Sequence, residues 1–551
     1  MTPKAPSESK DPASAVVDRP AADLISGYSL RLERIGKLGI LMAVLTVLGQ
    51  LTGLVREAAI AFFLGATGRT DTFIAAYQPI EVLTSAILLS MSFGVLPLIL
   101  EYRRDFGPAV AVQMTRRLQY GTAASFVGVC VLLYLGGVWI LHQSDPHLGP
   151  LQVHQALRLW HRMVPAVALA SLTAFFSAEL IAAERFVYPG LNSFLLNSSI
   201  VLCGVIGWKV FGVEAFALGV IMGFLMQLLV QALATSSERR RADLKPERQI
   251  PRVWRDGLRF VAPVFVVFSL SCMSAIVPRR VASALGEGQM SILAYGTRAV
   301  TAVYLLGSFA ISYPYSSFLA RAVASGEAEQ ARSLFRSLVR AAFLFSLPAI
   351  AALALLRAPL VRILFQRGAF TSDASAAVTS ILPYLSPLIL GALVSDVIGR
   401  CLIATKRIFS ACILYSILVA LSWILSEVCQ SFWGLKGTAA GWALASCLSG
   451  LLFLVGLARQ MGGRAFRGIT SSIGRILLAG LLSCAVMAVS SRLFLAWRPR
   501  ALASDILEIV VTLAAGGLAF IGLGLRLGIP ELVSMIGSFR GKLGTYEPPS
   551  V

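Results

Sequence analysis

Arg56, Glu57, Glu81, Glu179, Arg298, Asp396 and Arg400 are ionisable side chains inside stretches of otherwise apolar sequence. A charge near a bilayer centre costs about 2.5–3.5 kcal/mol on insertion scales, so such residues face a cavity or a partner. Asp396 and Arg400 are four apart and can pair along one helix face. Glu57 follows Arg56 directly, and neighbours on a helix point about 100° apart, so Glu57 is expected to be a poor direct partner for it. Arg298 has no acid within four residues on its own helix. An unpaired guanidinium facing a cavity suits a phosphate, which it binds bidentately. The competing expectation is that Arg56 and Arg298 reach an interface by snorkelling.

Other chemistry is scarce. No GxxxxGK[ST] loop, HExxH or GxSxG is present, so the chain is read as a non-enzyme that hydrolyses no nucleotide. His142, His147, His154 and His161 lie in or beside one predicted loop, 142–160, and are read as solvated rather than as a metal site. The eight cysteines form no CxxC pair and sit mostly in apolar runs, which supports neither a metal nor a disulfide framework. No cofactor is expected.

The elements that must position these charges are membrane spans. Of 551 residues, 57% are hydrophobic and 14% charged, with a mean hydropathy of +0.77. Apolar runs of about 20 residues, the length that crosses a hydrocarbon core as a helix, recur throughout. The fold class is therefore all-α and polytopic, with about fourteen transmembrane helices by length and turn signals. Residues 1–34 are polar and read as a tail rather than a signal peptide. The net charge of +20 is concentrated in alternate loops, most densely in "SSERRRADLKPERQIPRVWRDGLR", which points to cytoplasmic loops rather than nucleic acid. Both termini are then placed in the cytoplasm.

The chain also repeats itself at an offset of about 217–222 residues, aligning Tyr77 with Tyr295, Pro97 with Pro314, Pro165 with Pro387 and Arg185 with Arg407. This predicts two parallel six-helix lobes with a substrate site between them near the midplane. The expected divisions are a tail (1–34), an N-lobe (35–235), a basic linker (236–257), a C-lobe (258–460), two further spans (461–530) and a second tail (531–551). Prolines 79, 97, 165, 314 and 387 are expected inside spans, as kinks or hinges.

Four motifs resemble the MurJ/MviN family of the multidrug/oligosaccharidyl-lipid/polysaccharide exporter superfamily. "GLVREAAIAFFLGATGRTDTF" is similar to the family's G-x-x-R-[DE]…FGA…T-D-A-F element through Arg56, Glu57, Gly65 and Asp71. "ERFVYPGLNSFLLN", "LFQRGAFT" and "AYGTRAVTAVYLLGSFAISYPYSS" match three further family patterns, the last placing Arg298 on a family arginine. The resemblance runs in order from about residue 38 to 460. It implies two six-helix lobes forming a V around a cationic cavity that flips an undecaprenyl-pyrophosphate-linked sugar, lipid II in the MurJ branch. It implies substrate contact for Arg56, Arg298, Glu57 and Asp71, the last also helping to close the outer end. Glu81, Glu179, Asp396 and Arg400 are kept as cavity or structural residues. Some family arginines are replaced here: one falls at Gln50, and a pair falls near Leu83 and Thr84. The acidic residues that bind sodium in some members have no counterpart in spans 7 and 11, so no sodium site is expected.

The leading expectation is a flippase that carries lipid II from the cytoplasmic to the periplasmic leaflet by alternating access, with membrane lipids and the cell-wall synthesis machinery as partners. The missing arginines leave a sister flippase for an exopolysaccharide or O-antigen repeat unit as the alternative. A small-molecule antiporter would predict twelve spans and no pyrophosphate-facing arginines. A non-transporting scaffold would predict that removing the charge of Arg56 or Arg298 is silent.

Overall fold

The computed structural model describes residues 41, 44, 45, 47–241, 253–461, 469–497 and 502–533. The expected N-terminal tail, half of the basic linker and most of the C-terminal tail lie outside the described residues. Among the described residues there are helices and no strand. Twelve helices are long and apolar enough to cross a membrane, or thirteen if one pair bent by 52° is a single pass.

In chain order the first half comprises α1 (Val47–Leu64), α2 (Gly68–Phe106), α3 (Pro108–Leu135), α4 (Gly137–Ser144), α5 (Pro150–Met163), α6 (Pro165–Ala182), α7 (Val187–Gly190), α8 (Asn192–Phe211) and α9 (Glu214–Arg241). The second half comprises α10 (Val253–Ser283), α11 (Gln289–Gly307), a π-helical turn at Ser308–Ser312, α12 (Tyr313–Ala324), α13 (Ala328–Leu355), α14 (Arg357–Leu364), α15 (Ser372–Leu385), α16 (Leu388–Ala404) and α17 (Ile408–Met461). Two more helices, α18 (Ile469–Trp497) and α19 (Leu502–Arg526), pack on each other and on the second half.

The sequence repeat is also a backbone repeat. α4 and α14 both have eight residues, and α5 and α15 both have fourteen. α6 ends with Glu184 at φ 59°, and α16 ends with Lys406 at φ 60°, two left-handed non-glycine residues in matched places. After each, the next amide closes the same hydrogen bond: Arg185 N–H donates to Leu180 C=O and Arg407 N–H to Leu402 C=O, both at 2.8 Å. Gly212, between α8 and α9, has φ 55° and ψ −131°; Gly434 has φ 56° and ψ −135°. Gly434 breaks α17, whose 54 residues would reach about 80 Å if straight, far more than one crossing needs. α17 is thus the second-half counterpart of α8 and α9 together.

The polarity is that of a membrane protein. Large apolar side chains such as Leu132, Leu135, Val210, Leu233, Phe409 and Phe432 point outward, while Gln227, Gln231 and Ser177 are buried. Ser177 donates to Gln231 Oε1 at 2.8 Å, pairing two of these internal polar groups with each other.

One expectation is met in most places and one is corrected. Pro79 and Pro97 lie inside α2, Pro165 stands at the break between α5 and α6 within the candidate span Pro150–Ala182, and Pro387 sits at the 52° bend between α15 and α16, while Pro314 is in the first turn of α12 after the π turn. Proline tolerates a helix start because its missing N–H has no partner there anyway. The histidine-bearing stretch 142–160 is largely helical, in α5, because Pro150 opens a helix whose Ala156, Leu159, Trp160 and Met163 are buried. His161 stacks on Tyr134 at 3.8 Å between ring centroids.

Candidate functional site

α1, α2 and α11 meet at a charged junction between the two halves. Arg56 and Glu57 come from α1, Tyr77 and Glu81 from α2, and Arg298 from α11. Tyr77 and Glu81 are one helical turn apart, so both point to the same side. Arg56 donates to Glu57 Oε1 at 2.7 Å, to the Tyr77 hydroxyl at 3.0 Å and to Glu81 Oε1 at 3.5 Å. Arg298 reaches across from the second half: its Nε lies 3.0 Å from Glu57 Oε1, and its Nη2 donates to both Glu81 oxygens at 2.8 and 3.0 Å.

This overturns two expectations. Glu57 is a direct partner of Arg56, because the long arginine stem swings the guanidinium back to a carboxylate that neighbouring backbone directions alone would separate. Arg298 is paired, but with acids on other helices of the other half, which no reading along its own helix reveals. Arg56 is 4% exposed and Glu57 8%, a burial at which each charge needs a partner.

The junction forms one wall of a cavity of about 320 Å³. Gln50 and Gly53 of α1, Thr84 and Leu88 of α2, Asn192 and Asn197 of α8, Gln227 of α9, and Thr301 and Leu305 of α11 line the rest. From Glu57 back to Gly49 the lining extends by about 12 Å along α1. Gln50 and Thr84 stand in this wall where the family resemblance places arginines, whereas Leu83 packs against the first-half core.

Beyond the junction the cavity is sealed. Asp71, 4% exposed in the first turn of α2, accepts from the Gly288 N–H at 2.5 Å and the Ser291 N–H at 2.8 Å. These are otherwise unpaired donors at the N-terminus of α11, where an anion is favoured. The chain turn before α2 needs Gly65: its φ is 65°, and a Cβ would meet the Ala369 carbonyl oxygen at 2.5 Å. The Gly65 carbonyl accepts from the buried Tyr295 hydroxyl at 3.0 Å, and the Ala369 N–H donates to Phe62 C=O at 2.8 Å. Three of the four sequence motifs therefore converge at one closed end.

Other charges singled out from sequence lie elsewhere. Asp396 and Arg400 pair on α16 at 2.7 Å, and Ser308 of the π turn donates to the second Asp396 oxygen at 2.8 Å. Glu179 is half-buried on α6. None of these three lines the cavity at the junction. Among the described residues no cluster of His, Cys, Asp and Glu could hold a metal.

Two groups were not singled out from sequence. Arg279 of α10 is 6% exposed, and its Nε has no hydrogen-bond partner among the described residues. The visible signal was "VPRRVAS", two arginines within an apolar run. Arg362 of α14 binds Asp505 of α19 with two hydrogen bonds, at 2.6 and 3.0 Å, fastening the last helix pair to the second half.

The model of the family described as "Lipid II flippase MurJ" matches residues 60–507. A lipid II flippase MurJ of Burkholderia cenocepacia is 25% identical over 430 residues, covering 75% of this chain and 82% of that protein. A probable lipid II flippase MurJ of Bdellovibrio bacteriovorus is 24% identical over 521 residues, covering 92% and 97%. Among solved structures, a lipid II flippase MurJ in an inward closed conformation superposes with a TM-score of 0.71 at 18% identity, covering 89% of this chain and 99% of that one. An inward-facing MATE family multidrug transporter of the MOP superfamily superposes at 0.63 with 14% identity, over 77% and 98%. These relatives favour the lipid II reading over a flippase for another glycan.

Proposed function

We propose a working cycle for this chain, which belongs to the lipid II flippase MurJ family and is a membrane transporter rather than an enzyme: it carries lipid II across the membrane by exchanging the internal partners of Arg56 and Arg298 for the pyrophosphate. The observation that carries this is the meeting of two arginines from opposite halves over two shared carboxylates, at the end of a polar-lined cavity. A pyrophosphate offers each guanidinium the same two-oxygen geometry as a carboxylate, with more charge. The arginines are thus kept paired and neutralised when empty, and are pre-placed for a dianionic linker when loaded.

A cavity of 320 Å³ is at the lower end of volumes that enclose a drug-sized ligand, about 300–1,000 Å³. A glycopeptide headgroup is larger, so entry requires a wider state in which the halves separate. Asp71 is the latch at the sealed end: as the halves rock, its bonds to Gly288 and Ser291 break and the headgroup leaves on that side. In this reading the sealed end faces the periplasm, both termini are cytoplasmic and the protein sits in the bacterial inner membrane. The N-lobe is 35–235 and the C-lobe 258–460, joined by the basic linker 236–257, with helices 461–530 flanking the polyprenyl tail and polar tails at 1–34 and 531–551. The undecaprenyl pyrophosphate carrier and the cell-wall synthesis machinery are its proposed partners.

The test is complementation. The chain is expressed in a bacterium whose own lipid II flippase can be shut off, beside Arg56→Ala and Arg298→Ala, with membrane levels of all three matched. Rescue by the intact chain and by neither variant is expected. Rescue by both variants contradicts the site assignment; failure of the intact chain, at normal membrane level in several hosts, contradicts lipid II as the substrate.

A further inference from the structure

Arg279 is a third arginine at the junction, and nothing in the proposed cycle uses it. It sits on α10 behind the two carboxylates: Arg279, Glu57, Glu81 and Arg298 line one small internal space with Gln78 and Tyr295, on the far side from the main cavity. Glu57, Glu81, Tyr77 and Arg298 belong to both linings, whereas Arg56 borders only the main cavity and Arg279 only the small space, so both carboxylates are shared between the two sides. α10 is held against α2 there, the Gln78 side-chain amide donating to the Ala275 carbonyl at 3.2 Å. Arg279 is 94% buried by its 6% exposure, yet its Nε makes no hydrogen bond, although both carboxylates are spent on Arg56 and Arg298.

A buried guanidinium without a bonded partner is costly, and costlier still at membrane depth. Loading the site raises the converse problem. If a pyrophosphate takes Arg56 and Arg298, Glu57 and Glu81 lose their cations and face an incoming dianion. Two buried carboxylates beside a pyrophosphate would repel it unless a cation took them up.

We propose that Arg279 is that cation: it takes over Glu81, with Glu57 close by, when an anionic headgroup displaces the carboxylates from Arg56 and Arg298. The junction then has two closed arrangements. In the empty one, Glu57 and Glu81 turn toward the cavity arginines and Arg279 is left short of partners. In the loaded one, the carboxylates turn back to Arg279 and the cavity arginines hold pyrophosphate. Three arginines and two glutamates carry one net positive charge among them, so the dianion is not met by net repulsion in the loaded state. This inference rests on the pyrophosphate-carrier reading above.

The test uses the full-length protein in detergent or nanodiscs, with undecaprenyl pyrophosphate and undecaprenyl monophosphate as probes, and reads binding by native mass spectrometry. Thermal melting checks that each variant is folded. Arg279→Gln is expected to weaken pyrophosphate binding by roughly tenfold or more. Adding Glu81→Gln to Arg279→Gln is expected to restore binding to within a few-fold of the intact chain, because a neutral amide needs no cation. The monophosphate should show a smaller loss, since it displaces fewer carboxylate contacts. Unchanged binding by folded Arg279→Gln overturns the inference, as does a double variant no better than the single one. If the intact chain binds neither probe, the carrier reading and the inference fall together; if it binds but the Arg279 series is flat, only the inference falls.

Discussion

Two clusters of buried charge in this molecule use the same residue types for different ends. On α16, Asp396 and Arg400 are one turn apart, and the pair is completed by Ser308 of the adjacent π turn, all within the second half. At the junction, Arg56, Glu57, Glu81 and Arg298 come from three helices on both halves, share oxygens and border a cavity. The first ion pair forms along a single helix, although the Arg400 guanidinium also lies 5.6 Å from the centre of the Phe93 ring on α2. The second is made where the two halves meet, the surface that parts in the proposed cycle, with Arg279 next to it. Charge inside a membrane protein is thus a poor guide to function by itself; whether its partners lie across a moving interface is the better one.

The comparison can be broken in several ways. The largest effect is expected for Arg298→Ala, which strands Glu57 and Glu81 on a single arginine; removing one partner from a buried ion network costs about 3–5 kcal/mol. Transport should be lost in a flippase assay on proteoliposomes, and Arg298→Lys, which keeps the charge but not the fork, should recover only part of it. Asp71→Asn comes next. The amide keeps one acceptor but loses charge at the α11 N-terminus, weakening the sealed end by about 1–3 kcal/mol. In a cysteine-free background, Ala302→Cys should then react faster with a membrane-impermeant maleimide added outside; unchanged labelling would remove Asp71 from the latch.

Asp396→Asn should lower the melting temperature, at a cost of about 1–3 kcal/mol, while leaving transport close to that of the intact chain. Loss of transport with an unchanged melting temperature would reverse the contrast between the two clusters. The smallest effect is expected for Arg362→Gln, which unfastens α19 from α14. That pair is partly exposed, so about 1 kcal/mol or less is expected, read as easier proteolysis between α18 and α19.

Much of this was legible in the sequence, and the parts that were not share a cause. The apolar runs gave the helical class, and the repeat that aligns Arg185 with Arg407 is real in the backbone, where each follows a left-handed residue and closes the same hydrogen bond. Arg56, Glu57, Glu81 and Arg298 were all picked out as charges in apolar sequence. Their pairing was misread because the expectation used backbone direction and near neighbours on one helix, whereas the partners of Arg298 lie more than 200 positions away on the other half. Arg279 escaped for a related reason. Near the end of a span, two consecutive arginines look like a flank, and only the fold shows that Arg279 is buried while its neighbour Arg280 bonds Gln143 on α4 at 3.0 Å, at an exposed position.

The central claim is that Glu81 competes with the substrate for Arg298. The most direct measurement is the affinity for lipid II of Arg298→Ala and Glu81→Gln, each folded and each compared with the intact chain. Partner exchange predicts opposite signs: weaker binding for Arg298→Ala and tighter binding for Glu81→Gln, the latter with slower release. Weaker binding in both would mean that the network only holds the site together, and would contradict the account.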